Sequence, residues 1–159
     1  MTQVRLADRP GDVGEVVALH GRLYASEYGL DVTMEAHVAS GLAAWLDGPP
    51  APPGRLWVAD GDERIAGCIG VTGLSPERAR LRWFAVDPAA RGRGLGRALL
   101  SEALAFARAS GYAAIELETF SELTAAARLY REAGFERVRA ERRRFCGREV
   151  QMEWYAMQL

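Results

Sequence analysis

A chain of 159 residues with 49% apolar and 26% charged side chains has the size of one domain and enough apolar material to bury a proper core. All 20 basic residues are arginines, and 21 acidic residues bring the formal net charge to -1, so no overall positive excess draws the chain to nucleic acid or an anionic membrane. The opening MTQVRLADRPGDVGEVV lacks a basic-then-apolar leader and no run is long enough for a membrane span, which makes a cytoplasmic location the expectation.

Residues 3–7, QVRLA, alternate as a short strand. Asp12 reads as the N-cap of a first helix, with Glu15 three residues on and Val13, Val16, Val17, Leu19 and Leu23 at helical spacing. A second helix is predicted from Thr33 to about Asp47, where Met34, Val38, Leu42 and Trp45 recur at steps of three and four; GPPAPPG at 48–54 ends it. RLWVAD and RIAGCIGVTGL then read as two strands joined by the turn residues GDE, and RLRWFAV at 80–86 as a third. A helix from about Gly96 to Ser110 carries Leu95, Leu99, Ala103 and Phe106 on one stripe. YAAIELETF is again a strand, Ser121 is placed to cap a helix running to Ala133, and Gly134 is its stop. FERVRAERRRF and REVQMEWYAMQL close the chain as two more strands. The order β-α-α-β-β-β-α-β-α-β-β predicts a single α/β (α+β) domain over 1–159 on a mixed, mostly antiparallel sheet.

The stretch RGRGLG at 91–96 sits between the strand ending at Val86 and the following helix. A helix N-terminus offers unpaired amides and the positive end of the dipole, and glycine there removes the β-carbon that would hold an anion off or forbid the required backbone angles. A diphosphate fits this description; a plain solvated turn is the alternative. Two phosphate loops are excluded: GxxxxGK[ST] needs a lysine that the chain lacks, and GxGxxG from Gly92 fails at Arg97.

In its context the stretch resembles the GNAT superfamily of N-acetyltransferases. Arg91, Gly94 and Gly96 match the family's [Q/R]xxGx[G/A] signature in register, within FAVDPAARGRGLGRALL, and LYREAGFERV at 129–138 resembles its C-terminal signature. LHGRLYASEYG and the Trp154-containing end resemble the acetyltransferase half of bacterial proteins that carry a MarR-type DNA-binding domain in front; that DNA-binding half has no counterpart here, so no operator binding is expected. The resemblance implies acetyl-CoA as acetyl donor, no metal, and a sheet splayed between its fourth and fifth strands. The backbone of Phe84, Ala85 and Val86 would bond the pantetheine arm in that splay. The pyrophosphate would rest on the amides of Gly92, Arg93, Gly94, Leu95, Gly96 and Arg97, with the guanidinium groups of Arg91, Arg93 or Arg97 adding charge. A homodimer is an expectation by analogy that nothing in the residues demands.

Acetyl transfer to an amine needs an unshared nitrogen lone pair, an amide near Phe84 to hold the oxyanion, and a proton for the departing thiolate. An alkyl amine of pKa ~10 arrives protonated and has to lose a proton to a base or a water chain. The resemblance assigns the acid to Tyr130, although its place on the helix's apolar stripe also suits a packed aromatic. Leu123 stands where many relatives carry an asparagine, so that contact does not transfer. Glu116 and Glu118 alternate onto one face of their strand, and Glu118 is the first candidate base; Glu27 and Tyr28 end the first helix near the expected acceptor pocket. His20 and His37 lie in helices without a carboxylate at metal spacing. Cys68 and Cys146 read as buried or half-buried free thiols. Trp45, Trp57, Trp83 and Trp154 read as core or pocket walls, and ERRRF at 141–145 as a solvated charge run, with selection of an acidic substrate or contact with the adenosine 3'-phosphate as the other readings. The leading function is N-acetylation of a small-molecule or peptidyl amine, with no nucleic-acid or membrane partner; a catalytically weak CoA-binding sensor and a generic phosphate binder are the alternatives.

Overall fold

The computed structural model describes residues 2–159. Its elements are β1 (Val4–Leu6), α1 (Asp12–Tyr28), α2 (Thr33–Leu46), β2 (Arg55–Asp60), β3 (Ile65–Gly73), β4 (Arg78–Val86), α3 (Leu95–Ala109), β5 (Ala114–Phe120), α4 (Thr124–Ala133), β6 (Glu136–Phe145) and β7 (Arg148–Gln158), with a 3-10 turn at Pro88–Ala90. This is the predicted order. Seven strands form one sheet in the order β1-β2-β3-β4-β5-β7-β6, antiparallel throughout except for the parallel pair β4 and β5.

Each face of the sheet carries its own core. On one, Val16, Leu19 and Leu23 of α1 and Val38 and Leu42 of α2 pack on Leu56, Val58 and Cys68. On the other, Leu99, Leu100 and Ala103 of α3 and Ala127 and Tyr130 of α4 pack on Ile69, Val71, Ile115 and Tyr155. β3, buried along nearly its whole length, lies between the two layers.

Two helix starts differ from expectation. Gly11, not Asp12, occupies the N-cap of α1; Asp12 is buried, and its carboxylate accepts the Arg9 amide at 2.9 Å and two bonds from Arg5 at 2.8 and 2.9 Å. The guanidinium that ties β1 to this helix claims the carboxylate and holds Asp12 below the usual carboxylate range. Ser121 does not cap α4, because its amide donates to Gln151 O at 2.9 Å and keeps the chain on β7 until the helix begins at Thr124.

Two irregularities of β4 position the site. β4 and β5 pair only from Arg78 to Arg80, opposite Ala114 to Glu116, after which the strands part and the β4 edge facing β5 has no strand partner among the described residues. The register between β3 and β4 also slips between Cys68 and Gly70, which face Ala85 and Arg82, so that β4 holds an extra residue there. Trp83, with φ of 52°, sits at this bulge. Before it, Ala79 and Leu81 belong to the α3/α4 core; after it, Trp83 and Ala85 belong to the α1/α2 core. The expected splay is present.

Candidate functional site

The segment from Asp87 to Arg97 is shaped by local chemistry. The Asp87 carboxylate accepts the Ala89 amide at 2.9 Å and starts the 3-10 turn, which delivers the chain into the glycine loop. Gly92 and Gly94 adopt φ of 76° and 81°, and a β-carbon on either would meet nothing within 4 Å, so the backbone angle rather than crowding asks for glycine. At Gly96 the reason is contact: a β-carbon there would stand 3.1 Å from Leu129 Cδ1 of α4. The first amide after Arg91 to find an intrachain acceptor is that of Ala98, which donates to Gly94 O at 3.0 Å; those of Gly92 to Arg97 find none among the described residues. Six consecutive unpaired donors at the positive end of a 15-residue helix suit an anion.

The arginines of the loop are less free than their sequence suggests. Arg91 donates to both oxygens of Glu27 at 2.9 and 2.7 Å and, through Nε, to Val86 O at 3.3 Å. Its pKa is raised by that carboxylate, and the pair ties the loop to the last turn of α1. Arg97 is held by Glu132 of α4 at 2.7 Å. Arg93 is exposed, outside the cavity wall and without an ion pair among the described residues.

A cavity of about 1070 Å³ starts at this loop, passes through the splay and opens between α1 and α2. Phe84, Ala85 and Val86 line its middle. Tyr130 enters from the α4 side, 5% exposed, with its ring centroid 6.0 Å from Phe84, 5.8 Å from Phe135 and 6.0 Å from Tyr155. Its hydroxyl has no hydrogen-bond partner among the described residues, and burial pushes the phenol far up, so it stays protonated at any working pH. Leu123, at the start of α4, lines the same wall.

The α1/α2 end has a different character. His20, Tyr24 and Tyr28 follow one another at steps of four along α1, with successive ring centroids 5.7 Å apart, and Tyr28 meets Phe120 edge-on at 5.3 Å. His20 Nδ1 lies 2.8 Å from Val16 O and so carries its proton there, leaving Nε2 as the acceptor; burial lowers its pKa to about 4, and the ring is neutral. Burial likewise pushes the Tyr24 phenol up. Glu116 and Glu118 do share a face, as expected. Arg80 reaches Glu116 at 3.1 Å, while Glu118 lies 3.9 Å from both Arg80 Nη1 and Arg143 Nη2. Arg143 of β6 thus comes near Glu118 while lying outside the cavity wall. Glu27, expected in the acceptor pocket, is absent from the cavity wall because Arg91 holds it; Tyr28 is on that wall.

Sequence reasoning missed His20 and Tyr24 as lining residues, although the i, i+4, i+8 ladder His20-Tyr24-Tyr28 was visible. It also missed Arg82, whose placement depends on the bulge and carries no local signal. The two cysteines are free as expected, Cys68 buried and Cys146 partly so. No group of three potential metal ligands occurs among the described residues, and no helix there is long and apolar enough to cross a membrane.

Mycothiol acetyltransferase of Beutenbergia cavernae is 34% identical over 123 residues, which are 75% of this chain and 39% of that protein. The N-alpha-acetyltransferase RimI of Mycobacterium tuberculosis is 40% identical over 82 residues, half of each chain. The chain thus spans half or less of these curated relatives. Among solved structures, yncA of Salmonella typhimurium, an acetyltransferase described with its cofactor acetyl-CoA, superposes with a TM-score of 0.75 at 20% identity over 100% of this chain and 94% of that one. The profile of the acetyltransferase (GNAT) family matches residues 22–135, which take in the glycine loop, the splay and Tyr130, and the chain belongs to that family.

Proposed function

We propose that the chain transfers an acetyl group from acetyl-CoA to a primary amine of a small molecule or peptide by direct attack of the amine on the thioester. The observation that carries this reading is the continuity of one cavity, from six unpaired amides at the α3 N-terminus, along an unpartnered strand edge, to a polar pocket on the opposite face of the sheet. Those parts fit the two chemical halves of the coenzyme. The amides of Gly92 to Arg97 hold the diphosphate, and the free edge of β4 at Phe84, Ala85 and Val86 takes the extended amide arm. Acetyl-CoA supplies an acyl group already activated as a thioester.

The protein's own work is then positioning and proton handling. Tyr130, kept protonated by burial, gives its proton to the departing sulfur. Arg91 and Glu27 act through position, locking the loop against α1, rather than as a free anion ligand and a substrate contact. Glu118 takes the ammonium proton directly or through water, and the neutral His20 and the two α1 tyrosines shape the pocket around the amine. Leu123 in place of the family's asparagine favours the second reading, a CoA-binding module of weak catalysis. Within the family we keep the likeness to the acetyltransferase half of MarR-type fusions, a cytoplasmic location and a homodimer as parts of this proposal.

A thiol-release assay with acetyl-CoA and a panel of polyamines, aminoglycosides, amino acids and short peptides tests the reading. Amine-dependent release of CoA supports it. Saturable CoA binding with no release for any amine selects the sensor instead.

A further inference from the structure

Of the two β4 arginines on the cavity wall, Arg80 has Glu116 and Glu118 within reach. Arg82 has neither an ion pair nor a hydrogen bond among the described residues, yet it is half-buried in the cavity wall. The bulge explains how it is held. Two consecutive residues, Arg82 and Trp83, turn to the α1/α2 face, and the Arg82 guanidinium stacks over the Trp83 ring at 4.4 Å from its centroid while its far end closes on Gly41 of α2, where a β-carbon would collide with it. Next to it, Arg80 Nε is buried without an acceptor. Burial and the neighbouring Arg80 charge both work against the Arg82 cation, and the field of Glu118, which forms no ion pair with it, offsets them only in part. A planar guanidinium fixed by stacking, flanked by an unsatisfied N–H and short of counter-charge, is a recognition element for an oxyanion, and its fork matches a carboxylate with two parallel bonds.

We propose that the amine acceptor is a small molecule carrying a carboxylate a few atoms from its nitrogen, that Arg82 binds this carboxylate, and that Glu118 faces the ammonium end. The assignment rests on the acetyltransferase reading and narrows it from amines in general to amino acid-like acceptors. It also gives Trp83 a reason for its positive φ: the bulge that opens the splay for the thioester is the same distortion that seats the guanidinium beside it.

The test compares matched pairs with the whole protein at saturating acetyl-CoA: α-, β- and γ-amino acids against their carboxamides, with the corresponding aminophosphonates as a third arm. The expected result is at least one amino acid whose kcat/KM exceeds that of its carboxamide tenfold or more. In Arg82→Gln that ratio falls towards one through a rise in KM for the acid, with acetyl-CoA affinity retained. Arg82→Lys recovers part of the preference. Without any acetyl donor, the same acid raises the melting temperature of the wild type and not of Arg82→Gln, a readout independent of turnover and of variant activity. Preference for phosphonates over carboxylates, equal use of acid and amide, an unchanged ratio in Arg82→Gln, or no turnover of any carboxylate amine by a protein that saturates with acetyl-CoA would overturn the proposal while leaving the coenzyme site standing. Failure of acetyl-CoA to bind would take down the acetyltransferase reading itself.

Discussion

The two ends of the cavity are built from different materials. The loop end is main chain: six amides, two glycines at positive φ and an unpartnered strand edge, with side chains serving mainly to tie the loop down through Arg91–Glu27 and Arg97–Glu132. The α1/α2 end is side chain: a ladder of His20, Tyr24 and Tyr28, the opposed charges of Glu118, Arg80 and Arg143, and the stacked Arg82. Main-chain donors recognise what all acetyl-CoA has in common and tolerate much change of side chain. A side-chain pocket recognises one acceptor and is altered by single substitutions. On the proposed function, donor and acceptor would meet at the bulge of β4, which belongs to both ends.

Four substitutions or conditions break this comparison at different points. The largest effect belongs to the meeting place. Tyr130→Phe removes the phenol proton that burial keeps in place at the α4 wall, and kcat falls about 100-fold or more, with acetyl-CoA affinity little changed. An unchanged kcat across pH would reduce Tyr130 to a packed aromatic.

Gly94→Val strikes the main-chain end. A β-branched residue at φ of 81° costs about 2 kcal/mol. Because the new side chain meets no neighbour, the loop relieves the strain by leaving its conformation, and acetyl-CoA affinity measured by calorimetry drops about 30-fold while the melting temperature stays close to the wild type. An equal loss of stability and affinity would show that the loop is a structural turn first.

His20 sharpens the side-chain end. Its folded pKa of about 4 lies below the unfolded value near 6.5, so the unfolded chain binds the extra proton first as pH falls. The stability associated with the neutral ring is fully present above about pH 6.5 and is lost as pH drops towards 4. Between pH 7 and 5 this group alone costs about 2 kcal/mol. Denaturant unfolding at the two pH values should show that loss in the wild type and a smaller one in His20→Gln; identical pH dependence would mean that His20 is not held neutral.

The smallest effect is at the latch between the two ends. Arg91 and Glu27 are both partly exposed, so Glu27→Gln removes at most about 1 kcal/mol, seen as a rise of up to fivefold in KM for acetyl-CoA with kcat retained. A loss confined to the acceptor KM would return Glu27 to the substrate pocket.

The same division explains what could be read in advance. The loop was legible because glycine marks the positive-φ backbone that Gly92 and Gly94 adopt, and because Arg91, Gly94 and Gly96 fit a known signature within six letters. The element order was legible because apolar spacing changes between helix and strand along the chain. Asp12 and Ser121 misled as caps because partners on strands, Arg5 of β1 and Gln151 of β7, hold them away from the capping role. Arg82 and the pairing of Arg91 with Glu27 were not legible at all, and Arg143 only as one member of a charge run. Those neighbours come from strands and helices far apart in the chain, and only the bulge and the register of β4 bring them to one place.

The central claim is that main-chain amides at the start of α3 hold the diphosphate of acetyl-CoA. A crystal structure of the protein soaked with acetyl-CoA tests it most directly. The account predicts diphosphate oxygens within hydrogen-bond distance of the amides between Gly92 and Arg97 and the thioester at the splay beside Tyr130; a coenzyme bound elsewhere, or none at saturating concentration, would contradict it.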